Sequence, residues 1–331
     1  MILFHSPDEV PDDFGPSVVA IGKFDGVHAG HRAIIQKMLV DAAGIGARSA
    51  IVTFDRHPLA LLNPQKRPPA LVEAHQKAAL LSMTGIDATL MLAFDESLAS
   101  EEPEDFVRRV LVESLHARLV LVGEDFRFGR GGAGDAALLR RLGEKYGFGV
   151  DEIPDVRSSP AGRRVSSTWI RELLADGDVA AAAKLLGRPP AVWGEVVHGA
   201  KRGRELGYPT ANLEPATEGL VPGDGIYAGW LIDGVAASAP GTRVRYPAAI
   251  SVGDNPTFDD VHRRQVEAYV LDETDLDLYG HIVEVQFVAR LRGMSAFAGI
   301  EALKVQMADD VERAREILLT APVAPDMSRR A

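Results

Sequence analysis

Apolar residues follow one pattern in the first 185 positions of the chain and a different pattern after them. In the first part, short runs that are almost wholly apolar alternate with segments whose apolar residues recur every three to five positions. An unbroken apolar run is typical of a strand covered on both faces, and the wider spacing is typical of a helix. The runs span residues 17–21, 50–54, 88–92 and 119–122, and the helical segments include residues 34–39 and 106–111.

The alternation of strands and helices predicts a parallel sheet with helices on both faces. We therefore expect a doubly wound, Rossmann-like α/β domain over residues 1–186. The boundary is placed there because Gly187-Arg188-Pro189-Pro190 interrupts the pattern.

Short extended runs separated by glycine and proline follow this break, with no helical segment between them. This pattern is typical of an antiparallel sheet or barrel, which we expect over residues 187–320. An amphipathic stretch at residues 298–319 predicts a closing helix, and residues 321–331 are expected to be a flexible tail. The predicted strands are 192–197, 225–232, 244–252, 265–271 and 282–289.

Composition excludes several classes of protein. The 331 residues include 36 Lys plus Arg, 47 Asp plus Glu and no cysteine, so the net charge is −11 and neither disulfides nor thiolate metal sites are available. An acidic chain without a basic patch is not expected to bind nucleic acid. Since no apolar run is long enough to span a bilayer, we expect a cytoplasmic protein without a membrane partner. The sequence does not predict the oligomeric state.

The first predicted strand leads directly into the segment GKFDGVHAGH, residues 22–31, where a helix is expected to begin. In open α/β sheets this junction binds phosphate, because free backbone N–H groups and the helix dipole favour negative charge. His28 and His31 are three residues apart, so both rings can lie on one side of the first turn. There they would donate hydrogen bonds to phosphate oxygens during attack at phosphorus.

Two other interpretations apply to either histidine alone. One histidine would cap the helix while the other is exposed, or both would bind a metal, although no third ligand follows at a fixed spacing. The complete segment is more specific than one histidine, because glycines, an acid and two histidines occur together. It is neither a P-loop nor a dinucleotide-binding fingerprint, which disfavours a P-loop kinase and NAD binding in this half.

The segment resembles the signature of the HxGH nucleotidyltransferase superfamily, which transfers a nucleoside monophosphate and releases pyrophosphate. RVSSTWIR, residues 164–171, resembles the second motif of that superfamily. Hydroxyl groups at a helix start are also common caps, whereas an arginine one turn later is suited to phosphate. The resemblance implies catalytic roles for His28 and His31, and ATP binding by Gly22, Phe24, Asp25, Gly30, Arg164, Ser167, Thr168 and Arg171.

The second half opens with a loop rich in glycine and basic residues. Backbone N–H groups and cationic side chains of such a loop can surround a polyphosphate. Thr210 and Asn212 offer neutral oxygens, which suit Mg²⁺ held mainly by nucleotide phosphates and water. The alternative is a glycine-rich turn with a solvated basic edge. The candidate residues for ATP and magnesium are Gly199, Gly203, Arg204, Gly207, Thr210 and Asn212.

Glu267 lies in a segment of alternating polarity, which predicts that Glu267, Tyr269 and Leu271 share one face of a strand. A carboxylate there would accept the proton of a substrate hydroxyl as it attacks the γ-phosphate of ATP. Considered alone, Glu267 is more simply explained as an exposed strand residue.

The motifs of the second half resemble riboflavin kinase, a small Greek-key barrel of six strands with a Pro-Thr-Ala-Asn turn and a catalytic glutamate. The resemblance implies that Glu267 is the general base and that Thr210 and Asn212 bind ATP with Mg²⁺. The order of the two halves resembles the bacterial bifunctional riboflavin kinase/FAD synthetase family. That family uses ATP to convert riboflavin into FMN and then FMN into FAD with release of pyrophosphate.

Two further segments, residues 53–58 and 122–129, resemble parts of the same family. They imply that His57, Pro58, Asp125 and Phe128 lie around flavin or ATP. Phe128 would stack on a flat ring, although a core aromatic is the commoner explanation for any phenylalanine.

Two rival functions remain open. In one, the first half is a nucleotidyltransferase for another phosphate ester and the barrel is a binding or regulatory module. In the other, the chain is a non-enzymatic flavin-binding protein. The presence of Glu267, Thr210 and Asn212 disfavours the first rival, and His28, His31 and Arg171 disfavour the second.

Overall fold

A computed structural model describes residues 1–159, 162–199, 208–235, 243–254, 264–273 and 276–321. The expected flexible tail after residue 321 lies outside the described residues, as do Gly203, Arg204 and Gly207. The chain divides into two compact units, residues 1–167 and 168–331. The domain limit at residues 186 and 187 stays a prediction.

Unit 1 contains a six-stranded sheet in the order β1-β4-β3-β2-β5-β6, and every neighbouring pair is parallel. The predicted strands are confirmed as β2, β3, β4 and β5. The short β1 and the largely polar β6 were missed because each is an edge strand without a long apolar run. The strands are β1 Ile2–Phe4, β2 Ser17–Ile21, β3 Arg48–Phe54, β4 Ala88–Leu92, β5 Ala117–Gly123 and β6 Gly149–Ile153.

Helices cover both faces of this sheet, as the apolar strands predicted. Val19 and Ile21 of β2 pack in one hydrophobic cluster, while Val18 and Ala20 pack in another. Segment 34–39 lies inside a helix, and segment 106–111 continues from an α-helix into the π-helix Val107–Ser114. The α-helices are α1 Ala29–Ile45, α2 Leu59–Leu62, α3 Ala74–Ser82, α4 Glu96–Ser100, α5 Pro103–Phe106 and α6 Ala136–Tyr146, with 3₁₀ turns at Pro7–Glu9, Pro64–Lys66 and Arg130–Gly132.

Unit 2 contains a closed antiparallel barrel in the order β10-β11-β8-β7-β12-β9. The five predicted strands are confirmed, and within the described residues no helix interrupts them. The sixth strand is β8, which the sequence presented as a turn. The strands are β7 Ala191–Val197, β8 Thr210–Leu213, β9 Gly225–Asp233, β10 Val244–Asp254, β11 Arg264–Val270 and β12 Ile282–Arg292.

Three helices accompany the barrel: α7 Ser167–Ala175, whose first residue closes unit 1, α8 Val179–Leu186 and α9 Ile300–Thr320. The predicted closing helix is confirmed as α9, which packs Ala314 and Leu318 against Ala228 and Leu291 of the barrel. The loop before β9 is joined to α7, since the Gly223 N–H donates to the Leu174 carbonyl at 2.7 Å.

Candidate functional sites

The loop after β2 lies where the connections from the sheet diverge. β2 pairs with β3 on one side and β5 on the other, so its carboxyl end is the switch point where open α/β sheets bind ligands. The Gly22 N–H donates to the Val52 carbonyl at 3.1 Å, and the Thr53 hydroxyl donates to the Lys23 carbonyl at 3.1 Å. These bonds fix the start of the loop against β3.

Backbone conformation in this loop is unusual. Phe24 and Val27 have φ angles of 48° and 43°, in the left-handed region that bulky residues rarely adopt. Both side chains are buried in the cluster beneath α1. Their burial holds the strained loop in place, as is common around ligand sites.

The two histidines lie together at the start of α1, as their spacing predicted. Their rings are stacked, with centroids 3.8 Å apart and planes inclined by 20°. His28 occupies the N-cap position, but its side chain makes no capping hydrogen bond. The capping interpretation is therefore not realised for His28.

His31 is held in its neutral form. Burial lowers its pKa well below the usual value, and the charges of His28, Lys77, Lys23 and Arg32 act in the same direction. Its Nδ1 atom is buried and has no hydrogen-bond partner among the described residues. The ring thus lies in a field of positive charge, which favours an anion nearby.

Gly22 and Gly30 provide space for neighbouring rings. A Cβ atom at Gly30 would lie 3.1 Å from the His28 ring, and one at Gly22 would lie 3.2 Å from the Phe24 ring. Phe24 is 1% exposed and its ring contacts that of His31, with the centroids 5.1 Å apart. The side chain of Phe24 therefore supports the histidine pair from the core.

The connection from β2 to α1, residues 22–28, is called the histidine loop below. Asp25 joins the histidine loop to two other segments. One carboxylate oxygen accepts a hydrogen bond from the Leu71 N–H at 2.9 Å, and the Asp25 carbonyl accepts one from the Ser167 hydroxyl at 2.9 Å. The structure thus places Ser167 beside the loop, and the Ser167 hydroxyl is bonded to the Asp25 carbonyl. Thr168 and Arg171 follow on α7 in unit 2, and their roles stay predictions.

Arg164 forms ion pairs with two carboxylates. Its guanidinium group contacts Asp125 at 3.1 and 3.2 Å and Asp155 at 3.0 Å. The hydrogen bond from Arg164 lowers the pKa of Asp125. Two predicted site residues, Arg164 and Asp125, therefore lie together, while Asp155 had no motif to mark it.

The remaining candidates of unit 1 are His57, Pro58 and Phe128, which lie in different surroundings. Nδ1 of His57 accepts a hydrogen bond from the Leu59 N–H at 3.1 Å, so Nε2 carries the proton in the neutral ring. Pro58 is the N-cap residue of α2. Phe128 is 8% exposed and its ring stacks on that of the partly buried Phe126, while its predicted contact with flavin stays a prediction.

The candidate site of unit 2 is a row of side chains across the barrel. Glu267 of β11 pairs in register with Asn212 of β8 and with Ser251 of β10. Residues directly opposite on antiparallel strands point to the same face. Val266 and Ala268 are buried, so Glu267 lies on the outer face of the barrel wall.

One part of the prediction from alternating polarity was wrong. Glu267 and Tyr269 share a partly exposed face, but β11 ends at Val270 and Leu271 is 2% exposed. Leu271 leaves the pattern because the chain turns after β11 and its N–H donates to the Pro247 carbonyl.

Asn212 is the centre of a polar network beside Glu267. Its amide nitrogen donates to the carbonyl and hydroxyl oxygens of Thr210 at 3.1 and 3.2 Å, and its amide oxygen accepts from Gln265 at 3.2 Å. A Cβ atom at Gly199 would lie 2.5 Å from this amide, so any larger residue there would displace the amide or its strand. Gln265 and Ser251 were missed because a lone polar residue in a strand carries no recognisable motif.

Thr210 and Asn212 lie in β8, where the sequence had presented a turn. The difference has a physical reason, since β8 has only four residues and gains its hydrogen-bond partners from β7 and β11. The strand places both side chains by register, which a turn would not do.

The described residues contain neither a cluster of three or more histidine, aspartate or glutamate side chains suited to a metal nor a helix able to cross a membrane.

Comparisons with known proteins match two parts of the chain to two different family models. Residues 10–169 match the family model for FAD synthetase, and residues 186–318 match the model for riboflavin kinase. A solved structure named as a macrolide-efflux protein from Streptococcus pneumoniae has a TM-score of 0.81 and 28% identity over 97% of this chain and 99% of that one.

Curated relatives share both halves. The bifunctional riboflavin kinase/FMN adenylyltransferase of Escherichia coli K12 is 35% identical over 96% of this chain and 97% of that protein. The protein of the same description from Pseudomonas fluorescens is 38% identical over 93% of this chain and 94% of its own length. The chain therefore belongs to the bifunctional riboflavin kinase/FMN adenylyltransferase family.

Proposed function

We propose that the two activities of this family are carried by two separate sites of the chain. Riboflavin is phosphorylated by ATP at the Glu267 row of the barrel, and FMN is adenylylated by a second ATP at the histidine loop. The observation that carries this assignment is that each compact unit contains its own polar site on its own fold.

At the histidine loop, a phosphate oxygen of FMN attacks the α-phosphorus of ATP. The new P–O bond forms FAD as the bond between the α-phosphorus and its bridging oxygen breaks, and pyrophosphate leaves with the electron pair. His28 and His31 donate hydrogen bonds to phosphate oxygens on which negative charge increases. Gly22, Asp25 and Gly30 shape the loop, while Arg164 binds the triphosphate. The roles of Thr168 and Arg171, which belong to unit 2, stay predictions from the family resemblance.

Two further segments complete the proposed adenylylation site. The Nε2–H group of His57 and the adjacent Pro58 contribute to the flavin or ATP surface, together with Asp125 beside Arg164. Ser167 holds the loop through its bond to the Asp25 carbonyl. None of these groups forms a covalent intermediate, since positioning and charge neutralisation are sufficient for nucleotidyl transfer.

In the barrel, Glu267 accepts the proton of a riboflavin hydroxyl as its oxygen attacks the γ-phosphorus of ATP. The γ-phosphoryl group moves to that oxygen, and ADP leaves. Asn212 lies directly across from Glu267 and fixes the position of the nucleotide relative to the base. The other proposed contacts to ATP come from Gly199, Gly203, Arg204 and Gly207.

Mg²⁺ enters with ATP as part of the substrate. The Thr210 hydroxyl and the Asn212 amide oxygen each accept one hydrogen bond within the site, and each oxygen has a second lone pair. Neutral oxygens suit Mg²⁺, which keeps most of its contacts to water and phosphate. The donor set therefore fits a magnesium–nucleotide complex.

The test separates the two reactions by substitution. Pure protein is incubated with riboflavin, ATP and Mg²⁺, and FMN and FAD are separated by chromatography. His28→Ala should lower FMN adenylylation by about 100-fold or more and leave riboflavin phosphorylation intact. Glu267→Gln should lower phosphorylation by about 100-fold or more, while added FMN is still converted to FAD.

Glu195→Gln, which removes an exposed carboxylate from the barrel, serves as the control for Glu267→Gln. Loss of both activities in a folded single variant would contradict two separate sites. A wild-type protein that makes no FMN from riboflavin would favour the rival with one activity and a regulatory barrel.

A further inference from the structure

Lys77 is a buried cation that the proposed reaction has not used. It lies on α3, is 5% exposed, and is the only lysine among the described residues to be buried. A lysine is rarely buried unless its charge is compensated or required. Its position therefore needs an explanation.

The ammonium group of Lys77 is fixed at the edge of the sheet that carries the histidine loop. Nζ donates to the carbonyl of Phe54, the last residue of β3, at 2.7 Å. β3 and β2 are parallel neighbours, so their carboxyl ends lie at the same edge. Lys77 is thus anchored beside the loop that follows β2.

Three carboxylates act on the charge of Lys77. Burial lowers the pKa of Lys77, while the carboxylates of Asp25, Glu73 and Asp55 act in the opposite direction. Asp25 accepts a hydrogen bond from the Leu71 N–H, and Asp55 is paired with Arg56. These carboxylates are shared with other groups and favour the charged form of Lys77.

Several positive charges also act on His31. Lys77 of α3, Lys23 of the loop, and His28 and Arg32 at the start of α1 all disfavour protonation of this ring. A site whose cations repel one another is stabilised by a bound polyanion, because the anion interacts favourably with each of them. The triphosphate of ATP is such an anion.

We propose that Lys77, anchored at the end of β3, supplies a fixed positive charge beside the histidine loop that favours binding of the ATP triphosphate and of the pyrophosphate product. This inference rests on the proposed function of the histidine loop. It predicts that charge at residue 77, rather than its hydrogen bond to Phe54, sets the affinity for these anions.

Two substitutions separate charge from structure. Lys77→Gln retains a donor for the Phe54 carbonyl and removes the charge, whereas Lys77→Arg retains the charge. Lys77→Gln should raise the KM for ATP in adenylylation and the inhibition constant of pyrophosphate about 10-fold. Lys77→Arg should remain within about 3-fold of wild type, and Lys145→Gln, which removes an exposed lysine of α6, should have no effect.

The titration of the His31 ring distinguishes an electrostatic role of Lys77 from a purely structural one. Followed by NMR, the His31 ring should titrate at higher pH in Lys77→Gln than in wild type, because one like charge has been removed. In the wild-type protein, saturating pyrophosphate should also raise the pH at which His31 titrates. No change on addition of pyrophosphate would overturn the inference without any question of folding.

The outcomes distinguish this inference from the proposed function. Riboflavin phosphorylation in the same sample shows that each variant is folded. If His28→Ala abolishes adenylylation while Lys77→Gln binds ATP and pyrophosphate like wild type, the role of Lys77 is wrong and the proposed function stands. If His28→Ala leaves adenylylation intact, the proposed function itself is wrong.

Discussion

The polar sites of the two units are formed from different parts of the backbone. In the α/β unit, the site is assembled from loops at the ends of strands, and Asp25 joins the histidine loop to residues 71 and 167. In the barrel unit, the site is a row of side chains fixed by strand register, with Glu267 between Asn212 and Ser251. The first depends on loop conformation and buried charge, whereas the second depends on pairing of β8 with β11.

Each kind of site is vulnerable to a different kind of change. A loop site depends on the contacts that hold the loop, such as the bonds of Gly22 and Lys23 to β3. A register site fails when one strand is displaced, because a shift of one residue turns every side chain to the opposite face. Small substitutions at the contacts of each site should therefore affect one reaction and spare the other.

Among these small substitutions, the largest effect is expected at Gly199. In Gly199→Ala, a Cβ atom would lie 2.5 Å from the Asn212 amide, and relief of this contact would displace β8 or the amide. Because displacements near 1 Å cost about 100-fold in rate, riboflavin phosphorylation should fall by about that factor. Steady-state assays should show unchanged FMN adenylylation.

Gly253→Ala in β10 is the matched control, since its Cβ atom would lie 3.4 Å from the flexible end of Met294. Wild-type phosphorylation by Gly199→Ala would show that the position of the Asn212 amide does not matter.

A smaller effect is expected at Gly30. In Gly30→Ala, the new Cβ atom would lie 3.1 Å from the His28 ring, which must move by a few tenths of an ångström. FMN adenylylation should fall about 10-fold, with phosphorylation unchanged.

Gly44→Ala tests the same substitution in the same helix, at a position with no atom within 4 Å of the new Cβ. It should leave both activities intact and stabilise α1 by about 0.5–1 kcal/mol, as measured by denaturation. Equal loss of adenylylation in both variants would contradict the role of the ring contact.

The buried His31 ring predicts a pH dependence of stability in the α/β unit alone. Its pKa in the folded protein is well below the usual value, whereas the unfolded chain takes up the proton near pH 6.5. The unfolded state therefore binds more protons below about pH 6.5. The contribution of neutral His31 to the free energy of unfolding is fully present above that pH. It is lost as pH falls toward the pKa of His31 in the folded protein, by at most about 1.4 kcal/mol per pH unit.

Hydrogen exchange of the β2 amides between pH 5 and 8 measures this effect. His31→Gln should show a smaller loss of protection on acidification than wild type, and the barrel amides should respond alike in both proteins. An identical acid response of the β2 amides in the two proteins would show that His31 titrates normally in the folded state.

The smallest effect is expected at the exposed ion pair of Arg164. Asp125→Asn removes one of its two carboxylate partners, while Asp155 still contacts the guanidinium group. Exposed pairs contribute little, so adenylylation should change less than about 3-fold. A loss as large as that of Gly30→Ala would show that Asp125 contributes to the flavin or ATP surface through more than its ion pair with Arg164.

Local patterns in the chain were sufficient to predict the architecture of both units and the grouping of the main polar motifs. Unbroken apolar runs identified the central strands, because a strand buried on both faces contains few polar residues. His28 and His31 were placed together because their spacing is local to one helical turn. Edge strands β1 and β6 and the four-residue β8 escaped detection, since their pairing depends on distant segments.

The side chains that complete each site became evident only from the packing of distant segments. Asp155, Lys77, Gln265 and Ser251 carry no local motif, and each reaches its site through a strand, loop or helix far along the chain. Phe128, in a family-like segment, is buried in the core cluster of unit 1, and its predicted contact with flavin stays a prediction. Local spacing is fixed by backbone geometry, whereas contacts between distant segments depend on how the whole chain packs.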